Sequence, residues 1–356
     1  MSSTSELPRL PWLAAPLRRA LSTRRGHALL VHGPRGVGQF ELSLLLAAAR
    51  LCENEEVPAD ARPCDSCAGC RLVRARSHPD LMVLIPEAMR DSLGWSGGSA
   101  EAEEGGESGK SGKKSSKEIR VETVRGAIAF ATTTSSRGRG KAVVIHPAER
   151  MNDIAANAFL KTLEEPAGQA IFVLSTAAPD ALLPTIRSRC QAIALPVPPG
   201  DEAIAWLEAQ GVGDAATLLM ACGGQPQEVL AWAALGIDAA AWRSLPDRIA
   251  RGEASALHGL PLGFVIEALQ KLCHDAAALA CGAAPRYFPP ESLSAGAELV
   301  ALLAWSRALS RMAAEAEHPW IADLGIESLV EQGRQALKTA RSERRSTKTV
   351  SLNSLR

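Results

Sequence analysis

Residues 27–52 read HALLVHGPRGVGQFELSLLLAAARLC. The run HALLV (27–31) is short, apolar and rich in Leu and Val, the pattern of a strand buried on both faces. GPRGVGQF (33–40) follows as a glycine-rich loop, and ELSLLLAAARLC continues as a helix. A strand, a glycine-rich turn and a helix start form the context in which a phosphate-binding loop works, because the helix N-terminus points its free N–H groups at the anion.

Gly33 and Gly38 occupy the two glycine positions of G-x-x-x-x-G-K-[ST], with Gly36 between them. The next two places hold Gln39 and Phe40. Phosphate chemistry needs a lysine at the first, to reach the outer phosphates, and a hydroxyl at the second, to bind magnesium. Farther on, a strand ends AVVIHPAE, so His146 and Pro147 stand where a working ATPase carries an aspartate for magnesium and a glutamate for the attacking water. Each lost charge-assisted contact is worth roughly 1.5–3 kcal/mol. Several are missing together, so tight Mg-ATP binding and hydrolysis are not expected.

Working outward, DLMVLI (80–85), KAVVIH (141–146), AIFVLS (170–175) and QAIALPV (191–197) repeat the buried-strand pattern, with helical segments between them. That alternation predicts a parallel, doubly wound α/β sheet over residues 1–198. Residues 91–118 are dominated by Gly, Ser, Glu and Lys and are expected to be a disordered insertion. Past Pro199 the strand pattern stops. A small helical lid is expected over 199–236, a helical collar or oligomerisation domain over 237–335, and a basic, disordered tail over 336–356.

The chain of 356 residues is 46% hydrophobic and 22% charged, with 39 basic against 39 acidic side chains. A zero net charge argues against coating nucleic acid by bulk electrostatics. Aromatic residues are 4%, too few for a base-stacking platform to be the main device. No apolar run reaches the roughly 18 residues of a membrane span, and MSSTSELPRLPW has no secretory pattern, so a cytoplasmic protein without membrane partners is expected.

Residues 149–190, ERMNDIAANAFLKTLEEPAGQAIFVLSTAAPDALLPTIRSRC, contain an N-A-F-L-K-T-L-E-E-P helix and a Ser188-Arg189-Cys190 motif. Asn152 or Asp153 can cap that helix, Ile154, Ala158 and Leu163 are expected on its apolar side, and Pro166 stops it. The segment closely resembles the clamp-loader branch of the AAA+ family. The resemblance extends over about residues 8–235, and more loosely beyond. It implies an AAA+ P-loop-type domain followed by a lid and an all-α collar. It also implies that Arg189, flanked by Ser188 and Cys190, is an arginine finger reaching the ATP of a neighbouring subunit. Such a finger is worth three to five decades in rate. Arg187 is a lesser candidate, and an exposed salt bridge is the bland alternative. Gln225, Pro226 and Gln227 stand where the family's ATPases carry a nucleotide-sensing arginine, so the lid also reads as silent.

Eight cysteines are present, and Cys52, Cys64, Cys67 and Cys70 have the spacing C-x11-C-x2-C-x2-C. Four thiolates close a tetrahedral structural zinc site. An iron–sulfur cluster is the rival, but ferredoxin patterns place the fourth cysteine downstream before a proline. Cys190, Cys222, Cys273 and Cys281 read as buried small hydrophobes. Within the resembled family, a four-cysteine module combined with a broken ATP site is similar to the delta-prime type of DNA polymerase III clamp-loader subunit. The resemblance implies partnership with gamma/tau and delta subunits, and through them with the sliding clamp and primed DNA. No ATPase or polymerase activity of its own is expected; a polymerase label would belong to the assembly. The alternatives are an active gamma/tau-type ATPase and a zinc-stabilised DNA-binding protein.

Overall fold

A computed structural model describes residues 10–23, 26–95, 115–166, 168–294, 296–314 and 322–346. The chain divides into two compact units, Met1–Glu202 and Ala203–Arg356.

The first unit opens with a 3-10 turn, Pro11–Leu13, and helix α1, Ala14–Thr23. Strand β1 (Ala28–His32) leads through the glycine loop into α2 (Gln39–Leu51), and α3 (Ala68–Arg74) follows the cysteine cluster. Next come β2 (Leu81–Leu84), α4 (Val121–Thr132), β3 (Ala142–Ile145), α5 (Asp153–Glu164) and β4 (Ile171–Thr176). The short α6 (Pro184–Arg187) and β5 (Gln191–Ala194) complete the unit. The five strands form one parallel sheet in the order β2-β3-β4-β1-β5. This is the parallel α/β layer expected of an AAA+ P-loop-type domain, with every strand found at or within about three residues of its expected position.

Burial corrects one part of that expectation. β3 and β4 are buried throughout and β1 nearly so, as two-sided strands must be. The edge strands differ: β2 is half-covered, and β5 alternates, with Ile193 alone fully buried. A strand with one neighbour keeps one edge open, whatever its composition.

Asn152 caps α5, its Oδ1 accepting from the backbone N–H of Ala155 at 2.9 Å. The core face of α5 runs through Ala155, Ala156, Phe159 and Leu163, and Phe159 packs edge-on against Phe172 of β4. Ile154, expected on that face, is instead 67% exposed. It sits in the first turn, and the 3.6-residue period carries it away from the sheet.

The insertion expected over 91–118 also changes. Residues 91–95 form an ordered turn that buries Trp95. Residues 96–114 lie outside the described residues, and 115–118 return as a loop followed by Ile119, which bridges to Met151.

The second unit begins within α7 (Gly200–Ala209) and continues with α8 (Ala215–Ala221), α9 (Pro226–Ala234) and α10 (Ala239–Arg251). Helices α11 (Leu262–Ala280), α12 (Leu299–Ala314) and α13 (Ala322–Ser346) follow. One hydrophobic core joins residues from Ala203 to Ala336. Trp232 packs on Trp242 across the expected lid–collar boundary, and Trp242 stacks on Phe288 at 4.2 Å. Asp275, fully buried, accepts from the backbone N–H groups of Arg286, Tyr287 and Phe288, pinning that loop to α11. Where a free tail was expected from residue 336, α13 runs on through Ser346, with Ala336 buried. Residues 347–356 lie outside the described residues. Cys222 and Cys273 are buried as expected and Cys190 is half-buried, but Cys281 is exposed at the end of α11. Among the described residues, no helix is long and apolar enough to cross a membrane.

Candidate functional site

The glycine loop lies at the C-terminal end of β1, where a parallel sheet opens its ligand crevice. Gly36 and Gly38 have φ of +67° and +101°, left-handed values that favour glycine. A Cβ on Gly33 would come within 2.0 Å of the Leu195 carbonyl oxygen, so only glycine allows this approach of loop to β5. The turn therefore keeps the backbone of a phosphate loop. Its side chains do something else. Gln39 is buried and folds back, with Nε2 donating to the Gly33 carbonyl at 2.8 Å and to the Pro34 carbonyl. A neutral amide thus satisfies the loop's own oxygens at the position where phosphate chemistry needs a lysine.

Phe40 turns inward beneath the loop. Its ring lies 5.0 Å from His146 and meets Trp95 edge-on at 6.1 Å. His146 and Pro147 follow β3 directly, and His146 Nδ1 shares a hydrogen bond of 2.9 Å with Ser175 Oγ of β4. Burial drives the His146 pKa down to about 4, so the ring is neutral near pH 7. The first acid after β3 in the chain is Glu149, which accepts from the Ala177 N–H at 3.4 Å. Three rings thus wall the place where magnesium would need a hydroxyl and a carboxylate. On the other side, Trp12 Nε1 donates to the Val37 carbonyl at 2.8 Å, and Leu10 and Leu13 crowd Gly38.

Ser188-Arg189-Cys190 connects α6 to β5. Cys190 faces the sheet core, and burial raises its thiol pKa to about 12, so it is an inert anchor. Ser188 Oγ donates to the Thr185 carbonyl at 3.1 Å, closing the turn. Arg189 points outward, where Nε donates to Glu164 Oε1 at 2.6 Å and Nη1 to the Thr185 carbonyl at 3.0 Å. Arg187 pairs with the exposed Asp180 at 2.6 Å.

Cys52, at the end of α2, and Cys64, Cys67 and Cys70 converge so that their four sulfurs lie within 4.8 Å of one another. The Cys64–Cys70 and Cys52–Cys67 separations are 3.9 and 4.0 Å. A tetrahedron with metal–sulfur bonds of about 2.3 Å has an edge of about 3.8 Å, so the donor set fits one ion. Cys67 Sγ accepts from the N–H groups of Glu53 and Cys70 at 3.4 Å, and Cys64 Sγ accepts from the Cys67 N–H at 3.3 Å. Burial opposes ionisation, but these donors outweigh it and pull Cys64 down to about 6 and Cys67 below the ordinary thiol range. Burial raises Cys52 and Cys70. The cluster can bind a structural metal with no ligand position left open. Ion pairs Glu53–Arg137 and Glu55–Arg139 tie it to the loop before β3.

The family model described as "DNA polymerase III, delta subunit" matches residues 13–199, more than half of the chain. The chain belongs to that family. Its relatives include DNA polymerase III subunit delta' of Pseudomonas aeruginosa, 38% identical over 198 residues, which are 54% of this chain and 52% of the relative. The same-named protein of Escherichia coli is 32% identical over 201 residues, 55% and 52% of the two chains. That of Bacillus subtilis is 34% identical over 170 residues, 48% and 42%. The relatives carry the delta-prime name that the combination of a four-cysteine module and an altered phosphate loop implied. The chain spans about half the length of the curated relatives it matches.

In this delta-family chain, the residues named from sequence fall into three groups in the first unit. Gly33, Gly36, Gly38, Gln39, Phe40, His146 and Pro147 gather at the ends of β1 and β3, the four cysteines beyond α2, and Ser188–Cys190 beyond α6. Gln225, with no side-chain bond closing the turn, sits at the N-cap of α9 in the second unit. Sequence reading missed Leu10, Trp12, Trp95, Ser175 and Glu164. Trp95 had a signal, as the one large aromatic in a Gly/Ser-rich stretch. Glu164 lies within the Leu-Glu-Glu-Pro motif itself. The other three act through contacts distant in sequence that no local pattern marks.

Proposed function

We propose that this chain works as a non-hydrolysing, delta-prime-type subunit of the DNA polymerase III clamp loader, supplying Arg189 to the ATP site of a neighbouring subunit. One juxtaposition carries the reading. A phosphate loop packed with Gln39, Phe40 and His146 shares a domain with an arginine displayed outward by a rigid turn. A chain built this way cannot readily burn nucleotide itself, yet it can stabilise charge developing on a triphosphate held by another subunit.

In this role the Gly33–Gly38 loop is a structural relic. Residues 199–236 act as a lid without a nucleotide-sensing charge, and 237–335 as the collar joining the chain to gamma/tau and delta subunits. The exposed Leu299, Val300 and Leu303 on α12 support a contact there. The assembly would open the sliding clamp and place it on primed DNA in the cytoplasm. The metal is proposed to be zinc. Four sulfurs this close suit one ion, whereas an iron–sulfur cluster spreads its cysteines over several irons. Zinc would supply cross-linking alone, and the four thiolates would clip a loop that has little core of its own.

The test is the reconstituted complex with its ATPase partner. Arg189→Ala is expected to reduce DNA-stimulated ATP turnover and clamp loading by orders of magnitude while assembly persists. Unchanged rates overturn the finger assignment, and brisk ATP hydrolysis by the isolated chain overturns the reading as a whole.

A further inference from the structure

In the second unit a cavity of about 390 Å³ opens between the turn at residues 222–225, helix α11 and the loop carrying Arg286 and Tyr287. None of its walls belongs to the glycine loop, the arginine turn or the cysteine cluster. One side is Glu267, Gln270, Lys271 and His274 of α11. They stand at i, i+3, i+4 and i+7, so they form a single stripe, about 10 Å from end to end at about 1.5 Å per residue.

The stripe has an acidic end and a cationic end. Glu267 begins it. The Lys271 side chain is only 12% exposed, with Nζ 2.7 Å from Glu267 Oε1. That ammonium also lies 4.6 Å from the centre of the Trp232 ring and 5.5 Å from that of Tyr287. One carboxylate oxygen and two rings hold it in place, and among the described residues its other N–H donors meet no oxygen. At the far end, His274 Nδ1 donates to Asp275 Oδ1 at 2.8 Å, which fixes the ring and leaves Nε2 as its other polar atom. The same buried carboxylate accepts from the Arg286 N–H, so Arg286 is anchored beside His274. The Arg286 guanidinium lies 5.4 Å from the Tyr287 ring centre and has no carboxylate partner among the described residues. Gln225 and Gln270 are half-buried, and among the described residues neither side-chain amide makes a hydrogen bond.

These donors outnumber the two oxygens of a carboxylate. A phosphate monoester brings three terminal oxygens and up to two charges. The volume suits a whole small molecule rather than a bare ion. At the acidic end Glu267, whose charge Lys271 balances, and the Gln270 carbonyl can accept from hydroxyls. Tyr287 offers little face to a nucleobase, since Arg286 and Lys271 lie over its ring and His274 meets it edge-on. We propose that this cavity binds a small polyhydroxylated phosphate monoester, with its phosphate at Lys271, His274 and Arg286 and its hydroxyls at Glu267 and Gln270.

The full chain, metal-loaded, is titrated by calorimetry with glycerol 3-phosphate and glucose 6-phosphate, and with inorganic phosphate and gluconate for comparison. Work at about 15 and about 30 °C ensures that a binding heat near zero at one temperature shows at the other. At least one ester is expected to bind saturably, and Arg286→Met to weaken it by about tenfold or more. Methionine keeps the backbone N–H that Asp275 accepts, so the loop stays pinned in the variant. No saturable heat with either ester up to roughly 20 mM overturns the proposal. Binding that Arg286→Met leaves unchanged places the phosphate elsewhere, the glycine loop included, and overturns it too. Inorganic phosphate binding as tightly as both esters, or gluconate binding more tightly than either, has the same effect, since the first removes the polyol and the second the phosphate.

Discussion

Arg189 is held by Glu164: Nε donates to Oε1 at 2.6 Å, and Nη2 reaches the same oxygen. The pair joins the two sequence motifs that carry the family resemblance, Leu-Glu-Glu-Pro at the end of α5 and Ser-Arg-Cys after α6. Both side chains are substantially exposed, at 32% and 49%, so the bond is worth at most about 1 kcal/mol. A bond that weak would not hold the guanidinium back in the proposed role, where a neighbour's triphosphate would offer it several charged oxygens in place of one.

Replacing Glu164 by Gln should therefore change unfolding free energy by less than about 1 kcal/mol. In the reconstituted complex the variant should keep stimulated ATP turnover, where Arg189→Ala loses it. If Glu164→Gln abolishes turnover as completely as Arg189→Ala, Glu164 is part of the active arrangement rather than a resting partner. Urea denaturation and a steady-state ATPase assay read the two effects.

Phe40→Ala should destabilise the first unit by about 3–5 kcal/mol, because the ring fills space between His146 and Trp95 that its neighbours cannot close. It should confer no Mg-ATP binding, since neither lysine nor aspartate returns with the space. Denaturation and nucleotide titration check the two halves separately.

Metal analysis should give one ion per chain through the four cysteines. Cys67→Ser should lose it, because the hydroxyl can still cap α3 but is a far poorer metal ligand than the thiolate that faces Cys52. Hydrogen exchange should then rise around residues 52–74, with the strands of the sheet protected as before. Loss of protection throughout β1, β3 and β4 would show that the whole unit depends on the metal.

His146 links stability to pH. Its folded pKa is depressed to about 4 from 6.5, so between those values the unfolded chain binds more protons. Stability is fully present above the unfolded value and falls as pH drops from about 6.5 through about 4. The loss reaches about 3 kcal/mol at most. His146→Gln cannot take up that proton. The difference between the two proteins in urea unfolding at pH 7 and at pH 4.5 should have this sign, and a parallel pH profile would refute it.

Much of the first unit was legible because its signals are local. Five apolar runs, a glycine turn between strand and helix, and four cysteines at metal spacing depend on near neighbours, and they appear where the pattern placed them. Charge at the phosphate loop is also a matter of composition: no fold can turn Gln39 into a cation or Phe40 into a metal ligand.

Pairing and burial were not legible, because they depend on distant residues meeting. β2 and β5 read like β4, yet they became edges once the sheet order gave each a single neighbour. Ile154 looked like core until α5 settled on the sheet through Ala155 and Phe159. Trp95 lay in a stretch composed like a free loop, and packing on Phe40 and Arg76 buried it. Trp232 and Trp242 drew two expected helical modules into one core. Residue type sets what each side chain can do chemically over a few ångströms, whereas what it faces follows from hydrophobic burial across the whole chain. That is why the missing lysine and carboxylate at the glycine loop were readable from one line of residues, while Glu164 beside Arg189 emerged only in three dimensions.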